Sequence, residues 1–351
     1  MIKQKYKVAV QCLCFNHAPY VARTLDGLSL QETDFAYLAV IFDDASTDNT
    51  RSVINHYVAE HFDKDKDSPT EENKDYIAYR YRHKTNLNFH LVLVYFKYNF
   101  YQIKKSKVPT IAGWTNQADY WAMCECDDYW IDKKKLQEEV DFLERNSEYG
   151  LVYTDYDVHY YDTGEYIHAA FKNGITPVIM SFEDHLLKAG YIAPMSWVCR
   201  IPFDDLMSGY QGPDSIDMSF IAALEAFLRS KVYYMDKVTC VYGKHRGSAT
   251  KQTSIATQYK FSHGAYSTQK YYLEKYHLQQ KYPDCLDYFI NAYYCYIIAA
   301  KKEEDYADVT AFFKKKGKES IKYRLFGMIM KLRITVPLLR AMCKYKIKNQ
   351  L

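Results

Sequence analysis

The chain contains no uninterrupted apolar stretch near the ~20 residues that a membrane-spanning helix requires. Its first residues pass directly into the strand-like segment 6–14, which leaves no room for the hydrophobic core of a secretory signal. The nine cysteines follow neither a metal-binding spacing nor the pattern of a disulfide framework, which favours reduced thiols and a cytosolic protein. These absences predict a chain that does not cross a membrane.

Two phosphate-binding motifs are also missing from the sequence. There is no G-x-G-x-x-G fingerprint and no G-x-x-x-x-G-K-[ST] loop, which disfavours Rossmann dinucleotide binding and P-loop chemistry. The 351 residues, of which 48% are apolar, are nevertheless sufficient to bury one large core or two. We therefore expect a globular protein whose ligand site, if it has one, is built from other motifs.

Positive charge is concentrated at the C-terminus. Residues 314–351 hold twelve lysines and arginines against one acidic residue, whereas the whole chain has a formal net charge of +3. Residues 324–334 mix large apolar side chains with cations, a pattern typical of a helix in an anionic membrane interface, and Pro337 is expected to break or kink it. A helix docked on the protein body through its apolar side chains is the alternative. Nucleic-acid binding is disfavoured because the 36 tyrosines form no recognisable stacking platform.

Strand-like and helix-like segments alternate along the first part of the chain. We predict strands over residues 6–14, 37–42, 76–82 and 120–124, helices over 16–30, 49–62, 88–104 and from about 132, and a loop over 105–118. This alternation predicts a mostly parallel sheet with helices on both faces. Residues 258–302 carry tyrosine, leucine and alanine at helical spacing, so we expect packing helices there.

Acidic side chains follow two of the predicted strands. Asp43 and Asp44 follow the second strand, and Glu125, Asp127 and Asp128 follow the strand that begins near residue 120. Open α/β sheets bind ligands at the carboxyl ends of their strands, and Mg²⁺ and Mn²⁺ prefer carboxylate and phosphate oxygens. We therefore expect a divalent cation that holds a diphosphate, and raised pKa values among the crowded acids unless they are solvated or share that cation. The alternative is a solvated acidic loop that caps the following helix.

Four segments, in this order and spacing, resemble the family 2 glycosyltransferases with a GT-A fold. They are CFNHAPY at residues 14–20, QET at 31–33, FDDASTDNT at 42–50 and ECDDYW at 125–130. KLQ at 135–137 and VDFL at 140–143 further resemble the subgroup found in bacterial capsule and O-antigen clusters. The resemblance covers about residues 6–248. It implies an α/β fold, the GT-A nucleotide-diphospho-sugar transferase fold, with a mostly parallel central sheet flanked by helices and a C-terminal helical extension.

The resemblance also implies roles for residues on the nucleotide side of a site. Asp43 and Asp44 would contact the nucleoside, and the backbone from Cys14 to Asn16 would form one wall of its pocket. Asp127 would ligate Mn²⁺ or Mg²⁺. Glu125 replaces the first aspartate of the family's D-x-D motif, so we expect it to contact the ribose or to act through water.

On the acceptor side, inverting transfer requires a carboxylate that deprotonates the incoming hydroxyl. The resemblance favours Asp217 as this base, with Asp214 as the alternative, although Asp217 could equally cap the helix that follows it. His245 and Arg246 would assist departure of the diphosphate. The sequence lacks the Q-x-x-R-W motif of the family's processive synthases, which favours single additions.

These inferences predict an inverting, metal-dependent glycosyltransferase that moves a sugar from a nucleotide-sugar, with a UDP-sugar as the expected donor, to a glycan or lipid-linked acceptor at the cell surface. We expect a catalytic domain over residues 1–250, with a nucleotide-binding half over about 1–130 and an acceptor-binding half over about 131–250. A helical extension should follow over 251–320. The basic segment over 321–351 is expected to hold the protein on the inner face of the membrane. Self-association through the helices of this extension is a further expectation. The alternatives are a sugar-phosphate nucleotidyltransferase, disfavoured because residues 15–17 replace its glycine-rich loop, and a non-catalytic scaffold at the membrane that binds nucleotide-sugars.

Overall fold

A computed structural model describes residues 6–65, 70–188, 192–213, 218–246, 254–318, 320–331 and 336–348. The chain divides into two compact units. The first comprises Met1–His185, Gly190–Tyr210 and Ser219–His245, and the second comprises Leu186–Ala189, Gln211–Met218 and Arg246–Leu351. None of the helices in the described ranges has both the length and the apolar character needed to cross a bilayer.

The first unit is built on one mixed sheet. Its strands are β1 (Tyr6–Cys14), β2 (Tyr37–Asp43), β3 (Phe62–Lys64), β4 (Glu71–Glu72), β5 (Tyr76–His83), β6 (Phe89–Phe96), β7 (Ala118–Met123), β8 (Tyr129–Trp130), β9 (Tyr149–Tyr160), β10 (Glu165–Ile167), β11 (Trp197–Cys199) and β12 (Lys231–Lys244). They follow the order β3-β5-β6-β2-β1-β7-β11-β9-β12-β8, with β4 on β5 and β10 on β9. Strands β6, β2, β1 and β7 pair in parallel, as do β9 and β12, and the remaining pairs are antiparallel.

Helices accompany the sheet in the first unit. They are α1 (Val21–Ser29), α2 (Thr50–His61), α3 (Val108–Thr115), α4 (Lys135–Arg145), α5 (Phe182–Lys188), α6 (Phe203–Gly209) and α7 (Met218–Arg229). The last three residues of α5 and the first residue of α7 are assigned to the second unit. Helix α1 presents Val21, Leu25 and Leu28 to the core at helical spacing, which is why this short segment is amphipathic. The predicted α/β fold class is confirmed, with parallel pairing concentrated in the middle of the sheet.

Three local predictions are wrong. Residues 88–104 were predicted as a helix, but Phe89–Phe96 form β6, which is buried between β2 and β5. A short apolar run buried on both faces lacks the alternation that marks a half-buried strand. The predicted loop over 105–118 contains α3, whose Pro109 is tolerated in the first turn. The helix predicted from residue 16 begins at Val21, so Asn16 does not cap it.

A fully buried ion pair anchors α4. The side chains of Lys135 and Glu139 have no exposed surface and contact each other, and Lys135 Nζ also donates a hydrogen bond to the Ser196 carbonyl oxygen at 3.1 Å. The ammonium group lies 5.2 Å from the centre of the Trp130 ring. Burial, only partly offset by Lys135, raises the pKa of Glu139 to about 7. Neither side chain reaches water, so the negative charge of Glu139 is stabilised mainly by the ammonium group of Lys135.

We expect Lys135→Met to lower the free energy of unfolding by about 3–5 kcal/mol, because Glu139 would lose its buried cation. Urea unfolding of the full chain measures the change. The matched control is Lys134→Met, which removes an exposed lysine paired with Glu32 at 3.1 Å, and we expect less than about 1 kcal/mol there. Equal losses in the two variants would contradict this account of α4.

A second buried titratable group, His185 on α5, predicts acid sensitivity. Its ring packs against Phe220 and Phe227, with ring centres 4.8 and 6.0 Å away, and burial lowers its pKa to about 3 from the ordinary 6.5. Between these values the unfolded chain binds the proton and the folded chain does not. The free energy of unfolding should therefore fall by about 1.4 kcal/mol for each unit by which pH is lowered below 6.5. Urea unfolding at several pH values tests this, and His185→Leu should remove that part of the slope.

The second unit is helical where the structure describes it. Its helices are α8 (Ile255–Lys275), α9 (Cys285–Ala299), α10 (Tyr306–Lys316), α11 (Ile321–Lys331) and α12 (Val336–Lys348), and the helices expected over residues 258–302 are present as α8 and α9. A separate apolar core joins them, formed by residues that include Ile298, Phe313, Met330 and Leu339. All nine cysteines of the chain are free and buried.

Candidate active site

The carboxyl ends of β1, β2 and β7 meet at one edge of the sheet. Cys14 is paired with Asp43 in the parallel register, and its carbonyl oxygen accepts a hydrogen bond from the Asp44 backbone N–H at 2.9 Å. The Cys126 backbone N–H donates to the Leu13 carbonyl oxygen at 3.0 Å, so the acidic segment after β7 continues alongside β1. The sequence-predicted acidic groups therefore emerge at a common edge.

Asn16 ties two of these loops together. It adopts the left-handed backbone conformation (φ 58°), which asparagine tolerates better than most residues. Its backbone N–H donates to Ser46 Oγ at 2.9 Å, and its side-chain Oδ1 accepts from the Thr47 backbone N–H at 2.8 Å. The loop after β1 is thereby held against the loop after β2. A nucleotide contact for Asn16 stays a prediction.

Asp43 is fully buried but only partly used by the protein. Its Oδ2 accepts hydrogen bonds from Arg51 Nε and, at 3.3 Å, from the Ser46 backbone N–H. Arg51 is itself fixed by a 2.7 Å hydrogen bond to the Phe96 carbonyl oxygen. Oδ1 of Asp43 has no hydrogen-bond partner among the described residues. One carboxylate oxygen is thus oriented by the protein, while the other is buried without a partner in the described part of the chain.

Asp44 differs from its neighbour because the protein uses both of its carboxylate oxygens. Oδ1 accepts from the Phe100 backbone N–H at 2.8 Å, and Oδ2 accepts from the Tyr101 N–H at 3.3 Å and lies 2.7 Å from Lys107 Nζ. Asp44 therefore organises the segment between β6 and α3. The nucleoside contact expected for Asp44 remains a prediction, and this structural role was not visible in the sequence.

The acidic segment after β7 contains a buried carboxyl group with a raised pKa, that of Asp128. Glu125, Asp127 and Asp128 place carboxylate oxygens within 4.8 Å of one another. Burial, followed by the negative charges of Asp127 and Glu125, raises the pKa of Asp128 well above its ordinary value. Asp128 Oδ1 accepts a 2.8 Å hydrogen bond from the Gly243 backbone N–H. The crowding predicted from the sequence thus contributes, after burial, to the raised pKa of Asp128.

Asp127 faces two imidazole rings. Its Oδ2 lies 3.1 Å from His245 Nε2 and 4.0 Å from His17 Nε2. Its Oδ1 is buried and has no hydrogen-bond partner in the described part of the chain. Burial alone would lower the pKa of His17, but its hydrogen bond to Cys14 and the charges of Asp127 and Glu125 raise it to about 9. A divalent cation would find one carboxylate and two imidazoles within 4.8 Å of one another.

Gly243 makes this meeting sterically possible. A Cβ atom at Gly243 would lie 2.0 Å from the Asp127 carbonyl oxygen, so only glycine lets β12 approach the acidic segment this closely. His245 follows two residues later, and the close approach at Gly243 brings it to the Asp127 carboxylate. The sequence singled out His245 from its turn-prone segment but gave no sign that it would contact Asp127.

Aromatic rings surround His245. Its ring stacks on Tyr20 with centres 4.5 Å apart, and Tyr20 stacks on Tyr161 at 4.4 Å. The Tyr161 hydroxyl donates to the Asp127 carbonyl oxygen at 2.9 Å. His17, Tyr20 and Tyr161 were not predicted as site residues. His17 and Tyr20 belong to the segment CFNHAPY that carried the family resemblance, whereas Tyr161 follows β9 without any motif.

Other predicted site residues lie elsewhere. Asp214 and Asp217 fall outside the described residues, although the helix expected after Asp217 is present as α7. Arg246 is exposed and belongs to the second unit. Glu125 is half-buried, and the side chain of Cys14 is buried. The catalytic and leaving-group roles of these residues remain predictions.

Sequence comparisons find matches over part of the chain. No family model matches the chain. Uncharacterized proteins Mb1547 of Mycobacterium bovis and Rv1520 of Mycobacterium tuberculosis are each 27% identical over 155 residues, which cover 44% of this chain and 36% of theirs. The chain thus spans about a third of the length of these curated relatives.

Solved structures with a similar arrangement include two that contain nucleotide-sugars. Residues 1–349 of S. aureus TarS, solved with UDP-GlcNAc, align with a TM-score of 0.51 and 15% identity over 98% of this chain and 90% of that one. The mannosyltransferase PcManGT of Pyrobaculum calidifontis, solved with GDP-Man and Mn²⁺, aligns with a TM-score of 0.48 and 15% identity over 96% and 88%. The TarS likeness bears out the predicted fold class.

Proposed function

We propose that this protein is an inverting, metal-dependent glycosyltransferase that uses a nucleotide-sugar donor. The observation that carries the proposal is the position of Asp127: a carboxylate at the ligand-binding edge of the sheet, with one buried oxygen lacking a partner and two imidazoles beside the other. This donor set suits a divalent cation of the kind that neutralises a diphosphate. The metal is Mn²⁺ or Mg²⁺.

The same edge of the sheet also carries groups that would contact the nucleoside. Asp43 is held in place by Arg51 and keeps its Oδ1 for a donor such as a base N–H or a ribose hydroxyl. The Cys14–Asn16 backbone adjoins it, and Asn16 holds the neighbouring loop in position. A nucleoside at Asp43 and a diphosphate at Asp127 would direct the sugar away from the strand ends. UDP is the proposed nucleotide, in line with the family resemblance.

Transfer then needs only a base and a stabilised leaving group. The acceptor oxygen bonds to the anomeric carbon while the bond between that carbon and the diphosphate oxygen breaks. Asp217, or alternatively Asp214, would take the hydroxyl proton, and His245 and Arg246 would stabilise the negative charge left on the diphosphate. A divalent cation held at Asp127 would supply further neutralisation of that charge. The proposed acceptor is a lipid-linked or cell-surface glycan that receives one sugar at a time.

A donor screen tests the proposal. The full chain with Mn²⁺ is incubated with UDP-, GDP-, CDP- and dTDP-sugars and a bacterial lipid-linked glycan extract, and release of nucleoside diphosphate is measured. We expect release from one nucleotide class, with proton NMR showing an inverted anomeric centre in the product. Formation of pyrophosphate from a nucleoside triphosphate and a sugar 1-phosphate would instead identify a nucleotidyltransferase. Binding of donor without any turnover would identify a scaffold.

A further inference from the structure

The position of His17 extends the proposed metal site. His17 follows β1, and its carbonyl oxygen accepts hydrogen bonds from the Tyr20 and Val21 backbone N–H groups at 2.9 and 3.0 Å. Its neighbour Ala18 donates to Asp48 Oδ2 at 3.3 Å, so both ends of the peptide bond that follows the imidazole are fixed. The side chain is only 16% exposed and its Nε2 points toward Asp127. His17 is thus held in place by contacts that do not involve a ligand.

We propose that His17 ligates the cation together with Asp127 and His245, so that the site consists of two imidazoles and one carboxylate. This rests on the proposed metal-dependent function. Two ligand atoms each ~2.1 Å from an ion are ~3.0 Å apart when they subtend a right angle and ~4.2 Å apart when opposite. The distances of 3.1 and 4.0 Å from Asp127 Oδ2 to the two Nε2 atoms fall in that range.

The ligand set determines which metal the site prefers. Imidazole suits first-row transition metals such as Fe²⁺, Ni²⁺ and Zn²⁺, and Mn²⁺ stands at the weak end of that series, whereas Mg²⁺ takes carboxylate, carbonyl and water oxygens. A site with His17 and His245 should therefore select transition metals over Mg²⁺. A site formed by the carboxylates Glu125, Asp127 and Asp128 alone would accept Mg²⁺ as well.

Metal binding without any nucleotide provides the test. Mn²⁺ and Mg²⁺ are titrated by calorimetry into the full chain, and pulsed electron paramagnetic resonance of bound Mn²⁺ counts the coordinating imidazole nitrogens. We expect two nitrogens in the wild type and one in His17→Ala, with Mn²⁺ affinity reduced about 10- to 100-fold or more. The matched control is His56→Ala, an exposed histidine on α2, which should leave both readouts unchanged.

The outcomes separate this inference from the proposed function. Wild-type protein with one coordinated imidazole, lost only in His245→Ala, would overturn the role of His17 and leave the metal-dependent transferase standing. The same holds if His17→Ala weakens UDP binding while Mn²⁺ affinity stays within twofold, because His17 would then contact the diphosphate. Failure of the wild type to bind either metal, both without nucleotide and with UDP present, would overturn both. Thermal unfolding of each variant without metal identifies any misfolded protein, and His17→Asp, which restores a ligand atom, should recover Mn²⁺ binding.

A different surface lies on α11 and α12 in the second unit. Each helix buries one apolar stripe in the helical core, with Met330 from α11 and Leu339, Cys343 and Ile347 from α12. Each helix also carries a second apolar stripe that stays exposed. The docking stripes, as we call them, are Ile321, Leu325 and Met328 on α11 and Leu338, Met342 and Tyr345 on α12, each between 48% and 73% exposed.

The docking stripes share one spacing and one charge environment. In both helices the exposed apolar residues recur at i, i+4 and i+7, which aligns them along one face. The two helices together contain seven lysines and arginines and no acidic residue. Apolar side chains that could have packed in the core are therefore displayed among cations.

We infer that the docking stripes bind an anionic lipid bilayer. Insertion of the exposed leucine, methionine and isoleucine side chains below the headgroups is favourable because it removes apolar surface from water. The lysines and arginines of the two helices are attracted electrostatically to the negative surface of the bilayer. A second copy of the chain is a poorer occupant because neither helix carries an acidic residue that could pair with the lysines and arginines of the other copy. A nucleic acid would match the charge but not the apolar stripes.

Vesicle cosedimentation of the full chain tests this inference. We expect binding to vesicles of 30% phosphatidylglycerol in phosphatidylcholine and none to pure phosphatidylcholine. Leu325→Gln with Met342→Gln should reduce binding at least tenfold, and Lys344→Gln should reduce it about fivefold. Leu87→Gln, which alters an exposed leucine of the first unit, is the matched control. Equal sedimentation with both vesicle types, or a concentration-dependent dimer that the double substitution abolishes, would overturn the inference.

Discussion

Asp127→Asn should lower glycosyl transfer by about 10³-fold or more and abolish the metal dependence of UDP binding. The substitution keeps the shape of the side chain but removes the charge that faces His17 and His245. Without that negative charge the side chain would no longer attract a cation beside the two imidazoles. Transfer is measured as nucleoside diphosphate release, and binding as a thermal shift with UDP in the presence and absence of Mn²⁺.

The matched control for this prediction is Asp119→Asn. Asp119 lies on the same strand as the segment leading to Asp127, but its side chain is 34% exposed and lies 3.6 Å from Lys7 Nζ, outside the proposed site. We expect its activity and binding to equal those of the wild type. If Asp127→Asn retained Mn²⁺-dependent binding of UDP, the assignment of Asp127 as metal ligand would be wrong, whatever the effect on turnover.

Asp217→Asn should lower kcat by about 10²- to 10⁴-fold and leave donor affinity unchanged, since a general base acts on the acceptor hydroxyl and not on the nucleotide. The acidic limb of the pH profile for kcat should also disappear, because that limb reports protonation of the base. A residue that merely stabilised the start of α7 would affect stability without removing this limb.

Asp214→Asn is the direct comparison for Asp217→Asn, because Asp214 is the alternative base three residues earlier. We expect it to retain most of the activity. A large loss of kcat in Asp214→Asn alone would transfer the role of base to that residue. Full activity in both variants would remove this segment from the proposed chemistry.

The sequence predicted the site best where acidic side chains directly follow a predicted strand. Asp43 and Asp127 follow apolar runs that read as buried strands, and parallel strands bring their carboxyl ends to one edge. The identity of β6 was missed because a short run buried on both faces shows neither a period of two nor one of 3.6. Local patterns thus predicted the acidic groups at the edge of the sheet more reliably than they predicted whether each segment is a strand or a helix.

Contacts between segments that are distant along the chain could not be predicted from the sequence. Nothing local indicates that Asp44 would bind the backbone of residues 100 and 101, or that Tyr161 would reach the Asp127 carbonyl oxygen. The approach of His245 to Asp127 depends on Gly243 fitting against the acidic segment, which is a property of the packed strands. A single sequence specifies such contacts only through the whole fold.

The most direct test of the central claim is calorimetric titration of UDP into the full chain, once with Mn²⁺ and once after a chelator has removed divalent ions. A cation at Asp127 that holds the diphosphate predicts binding with Mn²⁺ and at least a tenfold loss of affinity without it. Equal affinity under both conditions, or no binding of UDP, GDP, CDP or dTDP under either, would contradict a metal-dependent nucleotide-sugar site at this edge of the sheet.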